Sequence, residues 1–200
     1  MKPILSLIAA LSLFFSAASL FAENSGAKFV TIDSTKGAKI NVYIHESAAP
    51  KTKEKPVLLV HGFNSNGKVW HEGENNYTAE LTENGYDVIV VDMRGNPVDT
   101  DNDHIVDEPA VGDSWGYGTK DLGDDVGSAL KYGIDYLNKN LPDRNYEKAD
   151  VVTHSTGALA VTSYSQSYGL IPYRNNIDTI IELAPPNNGS TSLIANIKET

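Results

Sequence analysis

The sequence predicts a mostly parallel α/β sheet with helices on both faces, and three observations predict it. Short continuous apolar runs, such as Val57-Leu58-Leu59-Val60 and Val88-Ile89-Val90-Val91, suit strands buried on both sides. Segments of helical period lie between these runs. Strands that alternate with helices pair in parallel, because the helix carries the chain back across the sheet.

The elements follow in order. Lys28 to Ile32 and Lys39 to Ile44 alternate polar with apolar residues, which predicts an antiparallel pair with one wet face. Ala48 to Lys55 is a polar connection closed by Pro56. Val57 to Val60 is the first buried strand. Tyr77 to Asn84 reads as a helix stopped by Gly85. Val88 to Val91 is the next strand. Asp124 to Asn140 is the clearest helix, with Val126, Leu130, Ile134 and Leu137 on one face. Val151-Val152 and Thr179 to Leu183 complete the strands. In such a sheet the reactive groups gather at the carboxyl ends of the strands. Three segments fall there: His61-Gly62-Phe63, Asp92-Met93-Arg94-Gly95 and the turn at Ser155.

Composition bounds the function. With 200 residues the chain is long enough for one domain with a real core. Lys2, the apolar stretch Ile4 to Phe15 and the small residues up to Ala22 read as a signal peptide over residues 1–22. An uncleaved membrane anchor is the competing reading, but the apolar stretch is short for a bilayer. The expectation is therefore a domain over residues 23–200, exported to a periplasmic or extracellular space, with no stable membrane span. There is no cysteine, so no disulfide and no lipid-modified cysteine. Loss of Lys2 with the signal takes the formal charge from −10 to −11. Such an acidic chain is a poor partner for nucleic acid or an anionic membrane.

Thr153-His154-Ser155-Thr156-Gly157 follows an apolar strand and precedes the small, apolar run Ala158 to Val161. Strand, tight turn and helix put the Ser155 hydroxyl at an accessible tip, which suits a nucleophile. The bland alternative is a serine that caps a helix. A β-branched Thr153 in so tight a turn is expected to be strained. His154, next door on a sharp turn, points away from the serine and is assigned to packing. His61-Gly62-Phe63 is either a plain glycine turn or a loop that stabilises an oxyanion. The second reading needs two rigid N–H donors, and Phe63 and Thr156 supply them.

Asp99, Asp101, Asp103 and Asp107 form a separate pattern. Carboxylates at alternate positions, then four residues on, can wrap a calcium ion. His104 stands where such loops usually turn on a glycine, so a plain solvated acidic loop is the alternative.

Val60-His61-Gly62-Phe63, Asp92-x-Arg94-Gly95 and Thr153 to Gly157 together resemble the α/β-hydrolase fold. Ala184 to Ser190 is similar to the loop after the sixth strand of secreted bacterial lipases. The resemblance spans roughly residues 28 to 192. It implies hydrolysis of small-molecule or lipid carboxylic esters, as in lipases and esterases, through an acyl-serine intermediate. It also implies an acid and a histidine after later strands. After Ser155, however, only Asp178, Glu182 and Glu199 are acidic, and no histidine follows. The histidines are at 45, 61, 71, 104 and 154, so a base within the chain would fall to His71 or His104. The expectation is an incomplete hydrolase domain lacking its C-terminal strands, poorly stable and nearly inactive alone. An amidase or thioesterase stays open, as does a non-catalytic exported binding protein on the same scaffold.

Overall fold

The computed structural model describes residues 27–47, 53–73, 76–97 and 117–189. The strands are β1 (Lys28–Asp33), β2 (Lys39–His45), β3 (Val57–Val60), β4 (Val88–Asp92), β5 (Ala149–His154) and β6 (Ile177–Leu183). The α-helices are α1 (Lys68–His71), α2 (Tyr77–Glu83), α3 (Thr119–Asn140) and α4 (Gly157–Ser165). The six strands form one sheet in the order β1-β2-β4-β3-β5-β6. From β4 to β6 every pairing is parallel, while β1 and β2 join it antiparallel. Helices cover both faces, so the mostly parallel layered sheet expected from the sequence is the one observed.

Each face has its own core. Leu58, Val60, Ile89, Val91 and Val151 meet α3 and α4 through Val126, Leu130, Leu137, Val161 and Tyr164. On the opposite face Leu59, Val88 and Val90 pack on Trp70 of α1 and Leu81 of α2. Alternation along the strands sends neighbours to opposite faces, which is why the runs are apolar throughout. The wet face expected for β2 does not form. Ile40, Asn41, Val42, Ile44 and His45 are all buried, because both faces of β2 are covered: Ile40, Val42 and Ile44 join the core under α3, and His71 of α1 packs on Tyr43 and His45 on the other face.

Local signals set both ends of α2. Asn76 Oδ1 accepts the Ala79 N–H at 2.9 Å and caps α2. Gly85, at φ 85°, turns the chain out of α2 as expected. The start of α3 departs from the sequence reading by five residues. Its first turns hold Asp124 and Asp125, both buried; Asp124 accepts from the Thr35 hydroxyl at 2.7 Å and the Ile171 N–H at 2.8 Å, and Asp125 is held by Arg94. Arg94, 4% exposed, makes a bidentate contact to Asp125, from Nη2 to Oδ1 at 2.7 Å and from Nε to Oδ2 at 3.0 Å, and donates to Ser34 and Thr35. The Arg94 turn singled out at a strand end is thus a structural tie. Among the described residues no helix is long and apolar enough to cross a membrane.

Residues 1–22, and the acidic run with Asp99, Asp101, Asp103, His104 and Asp107, lie outside the described residues.

Candidate active site

β5 ends at His154, and α4 begins at Gly157. Between them Ser155 sits at φ 52°, in the left-handed region. A non-glycine residue held there costs of order 1 kcal/mol or more, and the surroundings must enforce it. They do so from two sides. The Ser155 N–H donates to the Leu183 carbonyl at the end of β6, at 2.9 Å. The Ser155 carbonyl accepts the Ala158 N–H at 3.1 Å in the first turn of α4. The half-buried Ser155 side chain is left at the tip. The strain expected at Thr153 is not there. Thr153 is extended within β5 and fully buried beside Val60, so the reversal falls on Ser155 alone.

Two glycines let the segments meet. A Cβ on Gly157 would stand 2.6 Å from the His61 carbonyl, so the start of α4 rests directly on the end of β3. A Cβ on Gly62 would stand 2.9 Å from Ser155 Cβ and 3.1 Å from His154 Nδ1. The His61-Gly62-Phe63 loop and the serine turn are therefore in contact, as the sequence reading required. His154 lies against Gly62 but is exposed, a looser packing role than expected.

His61 fixes the loop. The Met93 N–H donates to its Nε2 at 3.1 Å, so that nitrogen carries a lone pair. The ring proton is then on Nδ1, which donates to the Gly62 carbonyl at 2.7 Å. Burial holds the ring below its ordinary pKa and keeps it neutral, against the opposing pull of Asp92. With both nitrogens engaged, His61 is no base for Ser155. It orients the Gly62–Phe63 peptide instead, and sequence reading missed that role. The signal was the His-Gly pair directly after a buried strand.

The other expected candidates separate from the serine. His71 packs on Tyr43 and His45 of β2, with ring centroids 4.8 and 5.6 Å away, while β4 and β3 stand between β2 and β5. Asp178 is at the far end of β6, paired with Lys55 at 2.5 Å, and Lys55 lowers its pKa. Glu182 lies opposite Thr153 within the strand and accepts from Asn187 at 3.2 Å. Among the described residues no cluster of three metal-ligating side chains occurs.

The fold, a mostly parallel six-stranded sheet with helices on both faces, is matched by known proteins. Residues 55–195 match the model of the alpha/beta hydrolase fold, and the chain belongs to that family. Among solved structures it is similar to the mature Bacillus licheniformis lipase BlEst2, with a TM-score of 0.55 and 19% identity. That match covers 80% of this chain and 51% of the lipase. It is also similar to the Pyrococcus furiosus esterase Pf2001, with a TM-score of 0.51 and 22% identity over 80% of this chain and 50% of the esterase. The chain thus spans about half the length of these structures, and at such identity they establish the fold. No curated protein matches the sequence.

Proposed function

We propose that this domain carries the nucleophile and the oxyanion donors of a serine hydrolase acting on carboxylic esters. The observation that supports it most is Ser155 at φ 52°, presented between β5 and α4 with Gly62 against its Cβ. In this reading Ser155 Oγ attacks the ester carbonyl carbon. The carbonyl oxygen takes the developing negative charge and is held by the N–H groups of Phe63 and Thr156. Loss of one such donor raises the barrier by about 3 kcal/mol. The tetrahedral intermediate then expels the alcohol, leaving an acyl-serine that water hydrolyses. A base must take the serine proton; of the described histidines, His61 has both ring nitrogens bonded, His45 and His71 stand beyond β4 and β3, and His154 is exposed beside Gly62. The base of this reading therefore comes from outside the described residues.

That placement of the histidines favours one rival, an exported binding protein on a hydrolase scaffold. A fluorophosphonate probe separates the two, because it labels only an activated serine. The hydrolase reading expects labelling of the purified protein that is lost in Ser155→Ala. Absence of labelling would favour the binding protein.

Export of the mature chain from residue 23 onward, to periplasm or beyond, belongs to the same proposal. So does a structural calcium ion on Asp99, Asp101, Asp103 and Asp107. An ion bound only by the folded state raises its stability by mass action. Millimolar calcium should therefore raise the melting temperature over that in chelator, and Asp101→Asn/Asp103→Asn should remove the increment. Identical melting curves with and without calcium would dismiss the site.

A further inference from the structure

The far end of the Gly62 loop is built over two imidazoles that the hydrolase reading does not use. His45 of β2 and His71 of α1 lie with ring centroids 5.6 Å apart. His45 Nε2 and His71 Nδ1 are both buried and have no hydrogen-bond partner. The His71 ring also packs on Tyr43, 4.8 Å away. Tyr43 donates its hydroxyl to Asp92 Oδ2 at 3.0 Å, and the Gly67 N–H donates to the other oxygen of the same carboxylate. Gly67 closes the loop that starts at His61 and opens into α1. A Cβ on Gly67 would stand 2.8 Å from Asp92 Oδ1 and 2.7 Å from Val90 Cγ1, so the loop end fits there only as glycine. One carboxylate thus ties the loop to the Tyr43 ring on which His71 packs.

We propose that the His45–His71 pair is an acid-sensitive latch: charging the two rings drives α1 from β2, breaks the Gly67–Asp92 contact and frees the loop carrying Gly62 and Phe63. Two like charges at that separation, with little water between them, repel strongly. The groups facing the pair are Tyr43 from β2, Lys68 and Glu72 at the two ends of α1, and Asp92 from β4. Asp92 and Glu72 favour a proton on His71, and Lys68 opposes it. Burial outweighs the carboxylates and holds His71 below its ordinary value. Burial, then the charge of His71, pushes His45 down to about 4.

The sign follows from linkage. Both rings bind protons more weakly when the latch is closed. The closed state therefore keeps its full advantage above about pH 6.5 and loses it as the pH falls toward 4. The effect on ester hydrolysis rests on the function proposed above; the latch itself does not.

Trp70 of α1 is buried beside this corner and reports on it. With Trp115→Phe as background, Trp70 emission should shift to the red between pH 6.5 and 4 while far-UV circular dichroism stays constant. In His45→Phe/His71→Phe the shift should vanish. If that pair fails to fold, His71→Gln alone, at the more open position, should move the midpoint at least half a pH unit lower. An unchanged midpoint in these variants would assign the transition to another group, such as His61, and overturn the latch. Loss of the dichroism signal together with the emission shift would overturn it too, since the whole fold would then be melting. Hydrolysis measured alongside keeps the two readings apart. A Trp70 shift with no esterase activity at any pH leaves the latch and removes the hydrolase. Activity that stays constant while Trp70 shifts removes the link between latch and loop.

Discussion

Ser155 holds a conformation that suits a nucleophile and costs stability. At φ 52° glycine would be at ease where serine is strained. Ser155→Gly is therefore expected to stabilise the domain by about 1 kcal/mol while abolishing fluorophosphonate labelling. Chemical denaturation of the two proteins measures it, and an equal or lower midpoint for the glycine variant would show that the turn is unstrained. His61 is the other instructive residue. A buried histidine beside a serine invites assignment as its base. Its hydrogen bonds to the Met93 N–H and the Gly62 carbonyl show a neutral clamp on the backbone instead. The bond from the Met93 N–H is not visible in the sequence, because the two residues are 32 apart.

At the scale of elements, α3 shows why boundaries were harder to read than existence. The apolar face from Val126 to Leu137 announced a helix. The first five residues did not, since they carry Asp121 and two further acidic residues follow at once. Those acids are held by distant segments: Arg94, from the turn after β4, pairs with Asp121 and Asp125, while Thr35 and the Ile171 N–H bond Asp124. The Arg94–Asp125 pair is 4% and 0% exposed. Removal of one member of such a pair strands a buried charge and typically costs about 3–5 kcal/mol. Asp125→Ala should therefore lower stability by that order, and Asp125→Asn by less, because it keeps part of the hydrogen bonding. A loss below about 1 kcal/mol for the alanine variant would mean that water reaches Arg94. The antiparallel pair β1–β2 was also legible from its alternation. Its burial was not, because alternation says nothing about what packs on the more polar face, where His71 of α1 covers Tyr43 and His45.

At the scale of the whole molecule the sheet is unevenly covered. Among the described residues β6 is one of the two edge strands, and Ile180, Ile181 and Leu183 are 39%, 50% and 41% exposed. A groove of about 520 Å3 runs beside it, lined by Leu59, Trp70, Tyr77, Tyr86, Val152 and Leu183. Exposed apolar edge strands template association. Ile181→Lys/Leu183→Lys should keep the described chain monomeric at concentrations where the parent self-associates, with little change in melting temperature. Light scattering after size exclusion tests it; equal association of both proteins would mean that this edge is not the sticky surface.

The layers, the parallel pairing of the buried strands and the two segments that meet at Ser155 were legible in the chain. Those features rest on local periodicity and on glycines whose missing Cβ atoms permit close approach, and both are written in the chain. Folding alone revealed that Thr153 is unstrained, that Arg94 ties α3 to the sheet and that His61 clamps a peptide. It alone also decided that His45 and His71 face one another across β2 and α1. Each of these depends on contacts between segments far apart in sequence, and such contacts exist only once the sheet has fixed where each strand ends.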